Sequence, residues 1–213
     1  MTVQLLVIAK QPVPGLVKTR LCPPCTPAVA AAVADAALHD TLTAVASTPA
    51  RRRVLVLAGA RPRPAGFEVV PQRGDGLAVR LANGYLDTAL DGVPSLLIGM
   101  DTPQVTPRQL TEAADRLASR ADAVLGLAAD GGWWALGLRD PRHAAVLRGV
   151  PMSTRDTGRL TKHALVSQGL RVEELPVLRD VDTAADAHAV AALCPPGRFA
   201  ETVAAMVPLE VRR

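Results

Sequence analysis

The order of apolar runs along the chain limits its fold more than any other feature. Runs at 3–9 (VQLLVIA), 53–59 (RVLVLAG), 67–72 (FEVVPQ), 95–101 (SLLIGMD), 121–129 (ADAVLGLAA), 133–139 (WWALGLR) and 172–181 (VEELPVLRDV) read as strands. Longer Ala-rich or amphipathic stretches at 26–46, 76–90, 106–119, 154–169 and 183–194 read as helices. Thr26-Pro27 and Thr106-Pro107 supply an N-cap followed by a first-turn proline at two helix starts. Strands that alternate with helices at this spacing form a mainly parallel sheet covered on both faces, so the class is α/β. Asp130, Gly131 and Gly132 mark a tight turn between two neighbouring strands.

In open sheets of this kind ligands bind beyond the carboxyl ends of the strands. The residues predicted there are the loop from Lys10 to Arg20, Asp101, Asp130, and Asp180 with Asp182. Carboxylates crowd together cheaply only when a cation neutralises them. A hard divalent ion does so, and Mg²⁺ typically takes one or two carboxylates plus phosphate oxygens. A basic, Gly-containing loop on the opposite lip would complete a phosphate site. The deduction is a nucleotide together with Mg²⁺ or Mn²⁺.

Other classes fit poorly. The first strand-to-helix turn lacks G-x-G-x-x-G, so a nicotinamide cofactor has no support. The P-loop pattern overlaps PVPGLVKT, but Pro12 and Val17 stand where its two glycines belong. A net charge of +4 and 2% aromatic residues do not make a nucleic-acid surface. The apolar run before Lys10 is too short for an export signal, and no uninterrupted apolar stretch of membrane length is expected, which points to the cytoplasm. Three cysteines make no disulfide framework; Cys22 and Cys25 spell C-P-P-C, but a loop separates them from the strand that a thioredoxin-like site would require.

Several segments in order carry a resemblance: AKQPVPGLVKTRL, IGMDTPQV, AADGGWWALGL, STRDTGRLT and LRDVDTAAD. Together they resemble a bacterial family of uncharacterised GT-A-type proteins related to glycosyltransferases and nucleotidyltransferases. The resemblance implies a three-layer nucleotide-diphospho-sugar transferase fold with a mixed, mainly parallel sheet. It implies one domain over 1–213, with a nucleotide-binding half (1–105), an acceptor half (106–194) and a C-terminal tail (195–213). The first loop also looks like that of enzymes that guanylylate small phosphorylated acids, where it covers a triphosphate. By that analogy Lys18 and Arg20 contact phosphate and Gly15 permits close approach. The chain departs from the family pattern at Met100, Trp133 and Met152.

Residue by residue, two readings compete. Lysine stands at only three positions, 10, 18 and 162, so two in one loop suggest a need for compact point charges, against simple solvation. Asp101 ends an apolar run and is read as a metal ligand, because Thr106 already serves as the helix cap. Asp130 is equally a turn residue. Trp133 offers a stacking platform or core packing. Ser153, Thr154 and Thr157 cap a helix or present its N-terminus to an acceptor. In related nucleotidyltransferases an Asp at the place of Asp182 joins the first on the metal; strand alternation lets only one of Asp180 and Asp182 face the site, and Asp182 is chosen. Lys18 and Asp101 are the expected catalytic pair. The function expected is nucleotidyl transfer from a nucleoside triphosphate to a small phosphorylated or acidic acceptor. Glycosyl transfer from a nucleotide sugar and non-catalytic nucleotide binding are the alternatives.

Overall fold

The computed structural model describes residues 3–209; the first two positions and the last four of the expected tail lie outside the described residues. Strand β1 (Gln4–Lys10) is apolar on both sides, and its neighbours β2 (Arg52–Ala58) and β4 (Ser95–Gly99) pair with it in parallel. With β3 (Glu68–Pro71), β5 (Ala123–Ala128), β6 (Trp133–Leu138) and β7 (Val172–Leu178) they form one sheet in the order β3-β2-β1-β4-β6-β5-β7. Only β6 runs antiparallel, to both β4 and β5. The sheet is therefore mainly parallel and mixed, as the alternation of elements required.

Helices cover both faces. Thr26 and Thr106 accept hydrogen bonds from Val29 and Gln109 N–H and open α1 (Pro27–Ala46) and α3 (Pro107–Ser119). These two pack on one face, where Leu38 and Leu110 meet Leu5, Val7, Leu96 and Ile98. Helices α2 (Gly76–Thr88) and α4 (Thr157–Ser167), with a 3-10 segment Pro141–Gly149, cover the other. There Tyr85, Leu147 and Leu165 meet Leu6, Val56 and Leu136. By length and mean composition α1 could cross a bilayer, although Asp35, His39 and Asp40 interrupt its apolar run. Here it is a core helix, with Val33, Leu38, Leu42 and Val45 all buried.

The region expected as a tail from residue 195 is partly a helix. Beyond α5 (Ala184–Ala191), α6 (Arg198–Met206) packs on α1 through Phe199 and Val203. Asp40 of α1 accepts hydrogen bonds from the Arg198 and Phe199 N–H groups at the start of α6, at 3.1 and 2.8 Å. Burial of Phe199 and these two bonds fix the segment to the domain.

The link between β2 and β3 is unusual for a parallel pair, and it follows the sequence reading, which placed no helix there. Parallel neighbours usually need a helical crossover of a dozen residues or more. Here residues 59–67 cross without a helix. An open cleft of about 700 Å³ lies between this link and α1, lined by Asp35, His39, Leu42, Arg61, Arg63 and Phe67 among others.

Candidate active site

At the carboxyl edge, the first loop is shaped by its own backbone. Gly15 has φ 79° with open space where a Cβ would stand, so conformation favours glycine there. Lys18 also adopts the left-handed conformation, φ 48° and ψ 39°, a strained choice for a residue with a side chain. That twist buries Val17 and turns Lys18 inward, leaving its side chain 8% exposed. Lys10 braces the loop instead of facing the acids. Its Nζ donates to the Leu16 carbonyl at 3.0 Å, and its backbone N–H donates to Met100 Sδ at 3.4 Å.

Lys18 Nζ lies 3.1 Å from Asp101 Oδ1. After a single 3-10 turn, Thr19–Leu21, Arg20 donates through Nη1 to Asp182 Oδ2 at 2.7 Å. Two cations of one short loop therefore grip two acids from opposite halves of the chain. The Arg20 pair is open to water, with side chains 74% and 33% exposed, and its net strength is small. The Lys18 pair is sheltered on the lysine side, so removing Asp101 would leave a poorly solvated ammonium without its partner.

Asp180 sits among these groups. Burial pushes its carboxyl up to about 7, helped by the charges of Asp130, Asp101 and Asp182 and opposed by Lys18. The expectation that only one of Asp180 and Asp182 would face the site was built on strand alternation. Strand β7 stops at Leu178, so both acids lie in the following loop, and both contribute charge to one locality. Gln104, which sequence reasoning missed, ties the two halves together: its Nε2 donates to the Arg179 carbonyl at 2.7 Å. Its own Oε1 is buried without a partner among the described residues. Nothing in the sequence marks it beyond its place three residues after Asp101.

The remaining residues divide. Asp130 is a turn residue, its Oδ1 accepting from Gly132 N–H at 2.8 Å, and its charge reaches Asp180. Gly131, at φ 91°, has no room for a side chain, since a Cβ would overlap the Arg155 carbonyl; its own carbonyl accepts from Gly158 N–H. The turn is thus locked against the start of α4. Trp133 is half-buried and packs with Met152 against the core on the α2 side, its Nε1 unpartnered among the described residues. Thr157 donates to the Pro151 carbonyl and accepts from Thr154 N–H, and Thr154 accepts from Asp156 N–H, so these hydroxyls shape the turn before α4. Ser153 is exposed at φ 60°.

The donor set suits a hard divalent ion, being carboxylate oxygens throughout. Among the described residues no three acidic, histidine or cysteine side chains form a preformed cage. Coulombic influence on Asp180 reaches farther than a coordinate bond, so the two observations are compatible. What fits is an ion held by one or two carboxylates and completed by phosphate oxygens. The 700 Å³ cleft lies to one side and contains none of the four acids; it shares only Gln11 and Pro12 with the first loop.

A family model for an uncharacterized protein conserved in bacteria, DUF2064, matches residues 29–154. The chain belongs to this family. The DUF2064 match spans Asp101 and Asp130 but not the first loop, Asp180 or Asp182. Among solved structures, a protein of Desulfovibrio desulfuricans G20 provisionally named a nucleotide-diphospho-sugar transferase is 25% identical with a TM-score of 0.80, covering 90% of this chain and 87% of that one. Rv0371C of Mycobacterium tuberculosis H37Rv, in complex with manganese, is 23% identical with a TM-score of 0.54, covering 89% of this chain and 97% of its own. CMP:2-keto-3-deoxy-manno-octonic acid synthetase complexed with CTP is 10% identical with a TM-score of 0.59, covering 91% and 98%. No curated protein matches the sequence. The fold is that of nucleotide-diphospho-sugar transferases and nucleotidyltransferases, in agreement with the resemblance.

Proposed function

We propose that this protein is a nucleotide-utilising transferase dependent on Mg²⁺ or Mn²⁺, with the phosphates bound between the first loop and the acid cluster. The observation that carries this reading is the convergence of Lys18 and Arg20 on Asp101 and Asp182, with Asp180 crowded beside them. A structural salt-bridge network has no need of a half-buried third carboxylate, Asp180, within the field of an exposed fourth, Asp130, whereas a site for a phosphate-bound cation does.

Lys18 and Arg20 would hold phosphate oxygens, Lys18 as a sheltered point charge and Arg20 as an exposed fork at the rim. Asp101 and Asp182, with Asp180 beside them, would hold the ion. The bound ion supplies neutralisation of the charge that builds on leaving phosphates. Gln104 keeps the Asp101 and Asp180 loops in register. Asp130 and the Gly131 turn, pressed against the start of α4, would form the acceptor side together with Trp133.

Two cations in one loop suit a triphosphate, which favours nucleotidyl transfer to a small phosphorylated or acidic acceptor. The name of the D. desulfuricans protein favours the second reading, glycosyl transfer from a nucleotide sugar. A thermal-shift panel of nucleoside triphosphates and nucleotide sugars, each with and without Mg²⁺ and Mn²⁺, tests both. A ligand at a hundred times its dissociation constant adds about 2.7 kcal/mol of stability, a clear shift. Release of pyrophosphate then identifies nucleotidyl transfer and release of a nucleoside diphosphate identifies glycosyl transfer. Silence across the panel refutes the proposal, and a shift that survives Asp101→Asn with no metal dependence supports a non-catalytic binder.

A further inference from the structure

The two ion pairs have an energetic consequence for how ligands enter. The groups that would receive phosphate are held by the groups that would receive the ion. A divalent cation arriving alone must draw Asp101 away from Lys18, leaving a sheltered ammonium, 8% exposed, facing added positive charge. A phosphate arriving alone must draw Lys18 away from Asp101, leaving Asp101, Asp130, Asp180 and Asp182 to face an anion with one cation fewer among them. When both arrive, each charge exchanges one opposite partner for another.

We infer that the Lys18–Asp101 and Arg20–Asp182 pairs form a charge latch that makes divalent cation and phosphate ligand bind cooperatively, each weakly without the other. The inference rests on the nucleotide reading of the site and adds a coupling between its two ligands. Couplings between sites span about 5- to 150-fold in affinity, and by linkage each ligand tightens the other by the same factor. The latch also ranks its members. Lys18 is sheltered and Arg20 is 74% exposed, so Lys18 carries most of the coupling. Lys10 is a control on the same loop, because its Nζ bonds the Leu16 carbonyl and no carboxylate.

The test measures Mn²⁺ binding to the full chain through the spectrum of free Mn²⁺, without phosphate, in wild type, Lys18→Met, Arg20→Met and Lys10→Met. Methionine keeps the length and apolar stem of the buried lysine, and thermal unfolding in the same buffer verifies folding. Lys18→Met should bind Mn²⁺ about tenfold tighter or more, a change inside the usual range of coupling, Arg20→Met less so, and Lys10→Met within about twofold of wild type. In a second arm, inorganic pyrophosphate is titrated calorimetrically in chelator and again with equimolar Mn²⁺. Wild type should bind the Mn²⁺ complex at least about tenfold tighter than pyrophosphate alone, and Asp101→Asn should bind metal-free pyrophosphate more tightly than wild type does. If Lys18→Met and wild type bind Mn²⁺ equally while the complex still binds, the latch is overturned and the nucleotide reading stands. If no form binds Mn²⁺, pyrophosphate or the complex, the nucleotide reading fails and the latch with it.

Discussion

Replacing Asp180 by asparagine should change how stability depends on pH, and the structure sets the direction and the ceiling of that change. In the folded chain burial and three neighbouring acids lift the Asp180 carboxyl from its ordinary 3.8 to about 7. A folded-state pKa above the unfolded one means that the neutral form is favoured on folding. The contribution to stability is fully present below about pH 4 and is lost as pH rises through 7. A displacement of this size, at about 1.4 kcal/mol per pH unit, sets a ceiling of about 4 kcal/mol lost between those limits. Urea unfolding of wild type and Asp180→Asn, in chelator from pH 4 to 8.5, yields the difference directly and cancels carboxylates common to both, such as Asp122, which Arg171 holds below the usual range. The Asp180→Asn variant should become progressively the more stable of the two as pH rises, with the gain levelling off above 8. Parallel curves over the whole range would refute the placement of a crowded, half-buried acid here.

Other consequences are more local. Gly131→Ala puts a Cβ against the Arg155 carbonyl at a left-handed backbone position and should cost about 3 kcal/mol or more in chemical unfolding; an effect below 1 kcal/mol would mean that the turn is not pressed against α4. Phe199→Ala should cost ~3–5 kcal/mol, because α6 is part of the core and not a tail, and a neutral result would detach that helix from the domain. Burial, with the nearby Cys22, raises the Cys25 thiol, and burial with Asp40 pushes Cys194 up to about 12, so both should resist thiol reagents at pH 8 until the chain unfolds. Rapid native-state labelling of Cys25 at pH 6 would restore a redox role for the C-P-P-C segment.

Element types were legible because periodicity and caps agree. Thr26-Pro27 and Thr106-Pro107 mark helix starts that the structure keeps, and the unbroken apolar run of β1 declares a strand buried on both sides. The last helix was missed although Phe199, Val203 and Val207 recur at four-residue intervals, because Pro195, Pro196 and Gly197 read as an ending rather than as a lead into Asp40's cap. At the site, residue types were readable and conformations were not. Lys18 was singled out by its rarity, but its inward turn depends on a left-handed backbone that no propensity favours. A period-two rule favours Asp182 over Asp180, and it fails because β7 has already ended before either residue. Gln104 acts through a contact 75 positions away, a relation that no local pattern contains.

The central claim is that phosphate and metal meet between the first loop and the acid cluster. Crystals grown with Mn²⁺ and the nucleoside triphosphate that gives the largest thermal shift test it most directly, through the anomalous signal of the ion. The expected peak lies at bonding distance from a carboxylate oxygen of Asp101 and of Asp180 or Asp182, with Lys18 transferred from Asp101 to a phosphate oxygen. A nucleotide in the 700 Å³ cleft beside α1, with the Lys18–Asp101 pair intact, would contradict it.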